Sequence, residues 1–192
     1  ALPICFVANG LSISQNIAKS SGSMGGGLYV ELNEQDTTKQ SLLTNCEFVG
    51  NIVNAGNGAA IYAYDIVLNN VQVVNNGIEN CVATTILGGA IYTAKRLSLQ
   101  SSYVSSNYAQ GSAGNIEVRS AGLSGFNVED SELYVSNSVL SNNNIYNLSG
   151  GTVSTNSGSQ IWMNVGQSNG GIISISDSLI EVNNNEEVAI NY

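Results

Sequence analysis

A frame of 11 residues recurs along this chain, and internal repetition constrains a fold more tightly than any single motif. Its clearest copy is Leu97-Ser98-Leu99-Gln100-Ser101-Ser102-Tyr103-Val104-Ser105-Ser106-Asn107. The same order returns from Ile66 to Asn76, Leu133 to Asn143, Ile173 to Asn183 and Ser41 to Asn51. A degenerate first copy reads from Leu11 to Ala18, with Ser21 in the last place. The shared pattern is apolar, any, apolar, any, Asn/Ser/Asp, small, any, apolar, any, any, Asn. Apolar residues two apart follow the period of a β-strand. No segment has the three-and-four apolar spacing of an amphipathic helix.

A second element precedes most copies, a turn of small residues and then a short strand. It reads Gly26-Gly27-Leu28-Tyr29, Ala59-Ala60-Ile61-Tyr62, Gly89-Ala90-Ile91-Tyr92, Gly114-Asn115-Ile116, Ser159-Gln160-Ile161-Trp162 and Val188-Ala189-Ile190-Asn191. The apolar positions are 28, 61, 91, 116, 161 and 190, so the spacing runs from 25 to 45 residues. A strict helical repeat would keep its period. Variable loops on a constant strand frame suit a β-helix, whose insertions leave at the corners.

The expected fold is therefore all-β: a single-stranded, right-handed parallel β-helix of about six coils with loop insertions, forming one domain over 1–192. Each coil buries its alternate Leu, Ile, Val and Phe, bends at Asn or Gly, and rises about 4.8 Å. Six coils make a rod roughly 25–30 Å long. Asn51, Asn76, Asn107, Asn143 and Asn183 are expected to stack as a hydrogen-bonded ladder. Glu31–Gln40, Glu117–Glu132 and Asn164–Gly170 read as surface loops.

Composition agrees. The chain has 21 Gly, 27 Asn and 26 Ser but one Pro, a set rich in tight-turn formers. Charged residues are 10% and hydrophobic ones 43%, which is too apolar for intrinsic disorder. A net charge of −9 with five basic residues argues against nucleic acid and anionic membranes as partners. No run of 18 apolar residues offers a spanning helix. Cys5, Cys46 and Cys81 allow at most one disulfide within the chain, or three buried thiols. There is no His and no CxxC pair, so neither a zinc site nor a Ser-His triad is expected.

Gly88-Gly89-Ala90-Ile91 and Phe48-Val49-Gly50-Asn51 match two tetrapeptides, GGA followed by Ile, Leu or Val, and FxxN. Their alternation resembles the repeat of the chlamydial polymorphic outer-membrane proteins. Weaker copies such as Gly58-Ala59-Ala60-Ile61 and Val104 to Asn107 extend the resemblance over nearly the whole chain. The resemblance implies a surface β-helix passenger with an adhesive role. No leader is visible at Ala1-Leu2-Pro3, so an extracellular or cell-surface setting is expected from composition and this resemblance.

Enzymes with β-helix folds, such as pectin lyases, place carboxylates and basic groups on neighbouring coils of one face. Here the acids are scattered. Asp177 reads as a turn residue in a column otherwise held by Asn and Ser, and Asp65 as a solvated corner beside Tyr64. The clusters Glu31, Glu34, Asp36 and Glu129, Asp130, Glu132 match no calcium-loop spacing and read as solvated loops. No catalytic residue, metal or cofactor is expected. Tyr29, Tyr62, Tyr92 and Trp162 fall in one column, either a stabilising stack or an exposed platform for sugars. Asn147-Leu148-Ser149 is a glycosylation sequon expected in a loop. The expected function is an extracellular structural or adhesive rod, its partner a surface glycan or protein. The alternatives are an end-to-end stacking subunit of a filament and a carbohydrate-active enzyme.

Overall fold

A computed structural model describes residues 4–20, 22–30, 40–54, 56–81, 85–86, 88–111, 117–118, 120–125, 132–141, 144–147, 159–164, 172–180 and 187–191. All regular structure among them is β-strand. The first pass of the chain comprises β1 (Ile4–Asn9), β2 (Ser12–Ser14), β3 (Ile17–Ala18) and β4 (Leu28–Val30). The second comprises β5 (Gln40–Thr44), β6 (Glu47–Val49) and β7 (Ile52–Asn54). The third has β8 (Ile61–Asn69), β9 (Gln72–Val74) and β10 (Gly77–Cys81), followed by β11 (Thr85–Ile86). The fourth has β12 (Ile91–Gln100), β13 (Tyr103–Ser105) and β14 (Tyr108–Gly111), followed by β15 (Glu117–Val118) and β16 (Ser120–Gly125). The fifth has β17 (Glu132–Ser136), β18 (Val139–Ser141) and β19 (Asn144–Asn147), with β20 (Ser159–Asn164) after it. Last come β21 (Ile172–Ser176), β22 (Leu179–Ile180) and β23 (Glu187–Asn191).

Each strand pairs in parallel with its counterpart in a neighbouring pass. One sheet runs β1-β5-β8-β12 and divides into β17-β21 and β16-β20-β23, with β4 also on β8. A second runs β2-β6-β9-β13-β18-β22 and a third β3-β7-β10-β14-β19, while β11 pairs β15. This arrangement is compatible with a β-solenoid.

Alternation selects the core. Leu43, Leu68 and Leu99 are register partners, all with no exposed surface. Phe48, Val73, Val104 and Leu140 form a second inner column, and Val53, Ile78 and Ala109 a third. Removing each large side chain from water is worth about 1.5–3 kcal/mol. The hydrophobic effect thus fixes the register, because a slip by one residue would turn each column outward.

Three columns of left-handed residues bend the chain. Gly10, Asn45, Asn70, Ser101, Asn137 and Asp177 form the first, with φ between 47° and 70°. Gln15, Gly50, Asn75 and Ser106 form the second. Gly25, Gly58 and Gly88 form the third. Asn tolerates this conformation because its short amide can bond locally. At Gly25 and Gly58 the demand is absolute, since an added Cβ would lie 2.2 and 2.3 Å from a carbonyl oxygen. Hydrogen bonding continues around the bends. The N–H groups of Asn45, Asn70 and Ser101 donate to Asn69, Gln100 and Ser136 in the next pass at 2.9–3.0 Å.

The structure corrects the expected register at three places. In the first pass Ala8 pairs with Leu43 and Ile13 with Phe48, so the frame begins five residues earlier than Leu11 suggests. Gly10, not Gln15, holds the first corner there. In the second element Ile91 pairs with Leu123, which pairs with Ile161, so Leu123 takes the place expected for Ile116. Ile116 lies outside the described residues. The segment 117–132 is accordingly not a plain loop, since it contains β15 and β16. Near the end, Val188 rather than Ile190 partners Ile161. Of the other two expected loops, Gln40 opens β5 and Asn164 closes β20, and the rest lies outside the described residues.

Candidate functional site

Inside the bend between the second and third sheets, side-chain amides link successive passes. Asn51 donates from its backbone N–H and its Nδ2 to Asn76 Oδ1, both at 2.9 Å. Asn76 donates in the same way to Asn107 Oδ1, at 2.9 and 3.0 Å. Each amide also caps a carbonyl of the previous pass: Asn51 donates to Ile13, Asn76 to Phe48 and Asn107 to Val73, all at 2.9 Å. Asn51, Asn76 and Asn107 have no exposed surface. Buried amides must be satisfied, and here they satisfy one another. The ladder also includes Asn16, which donates to Asn51 Oδ1 and was hidden by the misplaced first frame. Asn143 and Asn183 lie outside the described residues.

Two further ladders flank it. Ser102, Ser138 and Ser178 each accept or donate across passes, as when Ser102 N–H donates to Ser138 Oγ at 3.0 Å. Cys46 occupies the same column as a free, buried thiol that donates to the Thr44 carbonyl at 3.2 Å. The side chains of Cys5 and Cys81 lie outside the described residues. At the outer corner Asn70 Nδ2 donates to Asn45 at 2.7 Å, and Asn45 to Asn9 at 3.0 Å.

Tyr29, Tyr62 and Tyr92 stack. The first two rings are 5.2 Å apart at 26°, the second two 4.5 Å apart at 14°. Exposure falls along the stack, from 43% at Tyr29 to 6% at Tyr92. Burial, then the neighbouring Tyr62, pushes the Tyr92 phenol well above the ordinary tyrosine range. The stacked rings cover one another's faces, so this column offers sugars mostly ring edges. Ser124 follows Tyr92 in register, and Trp162 pairs with Ser124. Trp162 therefore shares the column but is not the neighbour of Tyr92.

Asp65 is the clearest departure from expectation. It lies in the middle of β8 and is 2% exposed, not at a solvated corner. Gln40 Nε2 donates to its Oδ1 at 3.0 Å, and an Arg96 nitrogen lies 3.8 Å from Oδ2. Arg96 is the register partner of Asp65 on one side and of Glu132 on the other. Sequence reading missed this because only pairing reveals that Lys95-Arg96 falls opposite Asp65. β12 carries one residue more than β8 at this point.

The second sheet turns a different face outward. Ser12, Glu47, Gln72 and Tyr103 are successive partners in one outward column, and Tyr103 is 41% exposed. An open groove of about 310 Å³ runs beside it, bordered by Ser12, Asn45, Glu47, Asn70 and Gln72. Its donors and acceptors are amide, hydroxyl and carboxylate groups, without a cation. Asp177 takes its expected corner at φ 48°. Asn147 ends β19, paired with Gly111, rather than lying in a loop. Its side chain and the acid clusters Glu31, Glu34, Asp36 and Glu129, Asp130 lie outside the described residues.

No protein-family model, no curated protein and no solved structure matches this chain.

Proposed function

We propose that the chain is a single-stranded, right-handed parallel β-helix of six coils that works outside the cell or on its surface as a structural and adhesive rod. The observation that carries this reading is the pass-to-pass parallel register, held by inner apolar columns and side-chain ladders. A right-handed crossover is the hand that twisted parallel strands favour. The two tetrapeptides that resemble surface passengers fall at framework positions. Phe48 is core, Asn51 belongs to the buried ladder, Gly88 bends the chain and Ile91 is core. They support kinship of fold more than kinship of ligand.

The adhesive face in this reading is the groove beside Glu47, Gln72 and Tyr103. Amides and hydroxyls suit the hydroxyls of a neutral glycan, and Tyr103 offers an aromatic surface. The carboxylate of Glu47 and the net charge of −9 disfavour acidic sugars. The Asp65 carboxylate is engaged by Gln40 and Arg96, so we read it as part of the framework and assign no catalysis. A glycan array with neutral and acidic members tests the face. Binding to neutral glycans that weakens in Tyr103→Ala and Gln72→Ala is the expected result. Preference for acidic glycans, or binding untouched by both variants, would overturn it.

A second reading rests on the first pass. β1, β2 and β3 have a strand partner on one side among the described residues. Open edges of this kind pair with other strands. Negative-stain microscopy across concentrations separates the two: filaments with a regular axial repeat favour end-to-end stacking, dispersed short rods exclude it.

A further inference from the structure

Two phenol rings from neighbouring passes are held stacked against each other. Tyr62 and Tyr92 are register partners, so their backbones hold them together. Their rings lie 4.5 Å apart and within 14° of parallel. Phenols stacked this closely on neighbouring passes need only local ring movement for an ortho carbon of one to meet an ortho carbon of the other. Tyr29 extends the stack at 5.2 Å and is 43% exposed, which gives an oxidant access to one end. Among the described residues the passes share no disulfide, and Cys46 is a free thiol.

We infer that this stack is a site of oxidative tyrosine cross-linking, which joins Tyr62 to Tyr92 by a carbon–carbon bond between adjacent passes. The oxidant is hydrogen peroxide acting through a haem peroxidase. Each phenol gives up one electron and its hydroxyl proton, leaving two neutral tyrosyl radicals. Their ortho carbons form the bond. The hydrogen on each of those carbons then returns to a phenol oxygen and restores both aromatic rings. The protein loses two hydrogen atoms in all, and hydrogen peroxide takes up two electrons and two protons to become two waters. Oxidation begun at Tyr29 reaches the inner pair by electron transfer along the stacked rings. The product ties one pass to the next where only non-covalent contacts are described.

The test treats the full chain, dilute and folded, with hydrogen peroxide and a haem peroxidase. Dityrosine fluorescence is read on the monomer separated by size. Protease digestion and mass spectrometry then identify the joined peptides. The expected product links Tyr62 to Tyr92 with the loss of two hydrogens. It is absent in Tyr62→Phe, which keeps a ring in the stack, and unchanged in Tyr103→Phe, which removes an exposed phenol elsewhere. Circular dichroism confirms that both variants keep the fold. A second arm repeats the reaction in urea, where the product is expected to disappear. Products that join only other tyrosines or only different molecules would overturn the proposal. So would a Tyr62–Tyr92 product formed equally well by the unfolded chain.

Discussion

At Asn76 a single amide holds three passes together. Its Oδ1 accepts from Asn51, and its Nδ2 donates to Phe48, Val74 and Asn107. Asn76→Ala would leave the Asn51 N–H buried without a partner and take the side-chain donor from the Phe48 carbonyl, at a cost of about 2–3 kcal/mol. Urea unfolding should show this loss, while Asn75→Ala at the exposed corner beside it should cost far less. Asn76→Asp sharpens the test. A buried carboxylate has no hydrogen to offer those carbonyls, so its folded pKa rises above its unfolded value. In that variant stability is expected to fall as pH rises from the unfolded value of about 4 towards the folded one. A melting temperature that falls between acid and neutral pH more in Asn76→Asp than in the parent chain is the expected sign. Ser41 is the converse case. It sits in a column with Ile66 and Leu97, fully buried, and its hydroxyl has no hydrogen-bond partner among the described residues. Ser41→Ala is therefore expected to stabilise the protein by about 1 kcal/mol, read in the same urea titration.

At the scale of the strand, β10 and β14 show how a glycine and an aromatic residue fit together. Gly77 and Tyr108 are register partners, and a Cβ on Gly77 would lie 2.2–2.4 Å from the Tyr108 ring. The ring lies over the bare glycine, and its hydroxyl donates to Glu79 at 2.6 Å. Gly77→Ala must displace the ring and break that bond, at a cost of about 1–3 kcal/mol for an overpacked site. Tyr108→Phe keeps the ring and should cost less, so thermal melts of the two variants separate packing from hydrogen bonding. The Tyr92 and Tyr108 phenols both have folded pKa values raised above the ordinary tyrosine value, by burial first and then by a neighbour. The unfolded chain would therefore release these protons first, and stability should decline as pH rises past about 10. Tyr92→Phe should flatten that decline in an alkaline melting series. Strand pairing also explains what could be read from the sequence. The frame from Leu97 to Asn107 was legible because apolar columns, corner Asn residues and ladder Asn residues all repeat in it. The second left-handed corner was not, because Gln15, Asn75 and Ser106 share a backbone angle but no side-chain type. Leu11 and Ile13 alternate as well as Ala8 does, and only pairing with Leu43 and Phe48 separates the frames. The aromatic column was legible as a column. Its interruption at Ser124 was not, because Ile116 and Leu123 both follow small residues.

For the molecule as a whole, stability should be graded along the stack, because each pass is held by its neighbours. β8 has partners on both sides, in β4 and β5 and in β12, and β12 in turn carries β16 and β17. The core cluster is centred on the same passes, with Ile61, Ile66, Leu68, Ile91 and Leu99 all at 0% exposure. In the first pass Phe6, Ala8 and Ile13 are only partly buried against that core. Val7 beside them is 58% exposed, as an outward position allows. Every pairing joins residues far apart in sequence, so a pass gains its hydrogen bonds only when the next pass is already in place. Local opening should then start at the first pass and move inward, with free energies rising towards the global value. Native-state hydrogen exchange reads this directly. Amides of β8, β9, β12 and β13 are expected to exchange slowest, and those of β1 and β2 fastest among the strands from β1 to β13. The peroxidase-treated chain adds a second comparison. A bond between Tyr62 and Tyr92 joins the third pass to the fourth, so it should slow exchange in β8 and β12 while leaving β1 and β2 unchanged. Equal protection from β1 to β13 would mean that these passes open as one cooperative unit, and the pass-by-pass account of stability would fail.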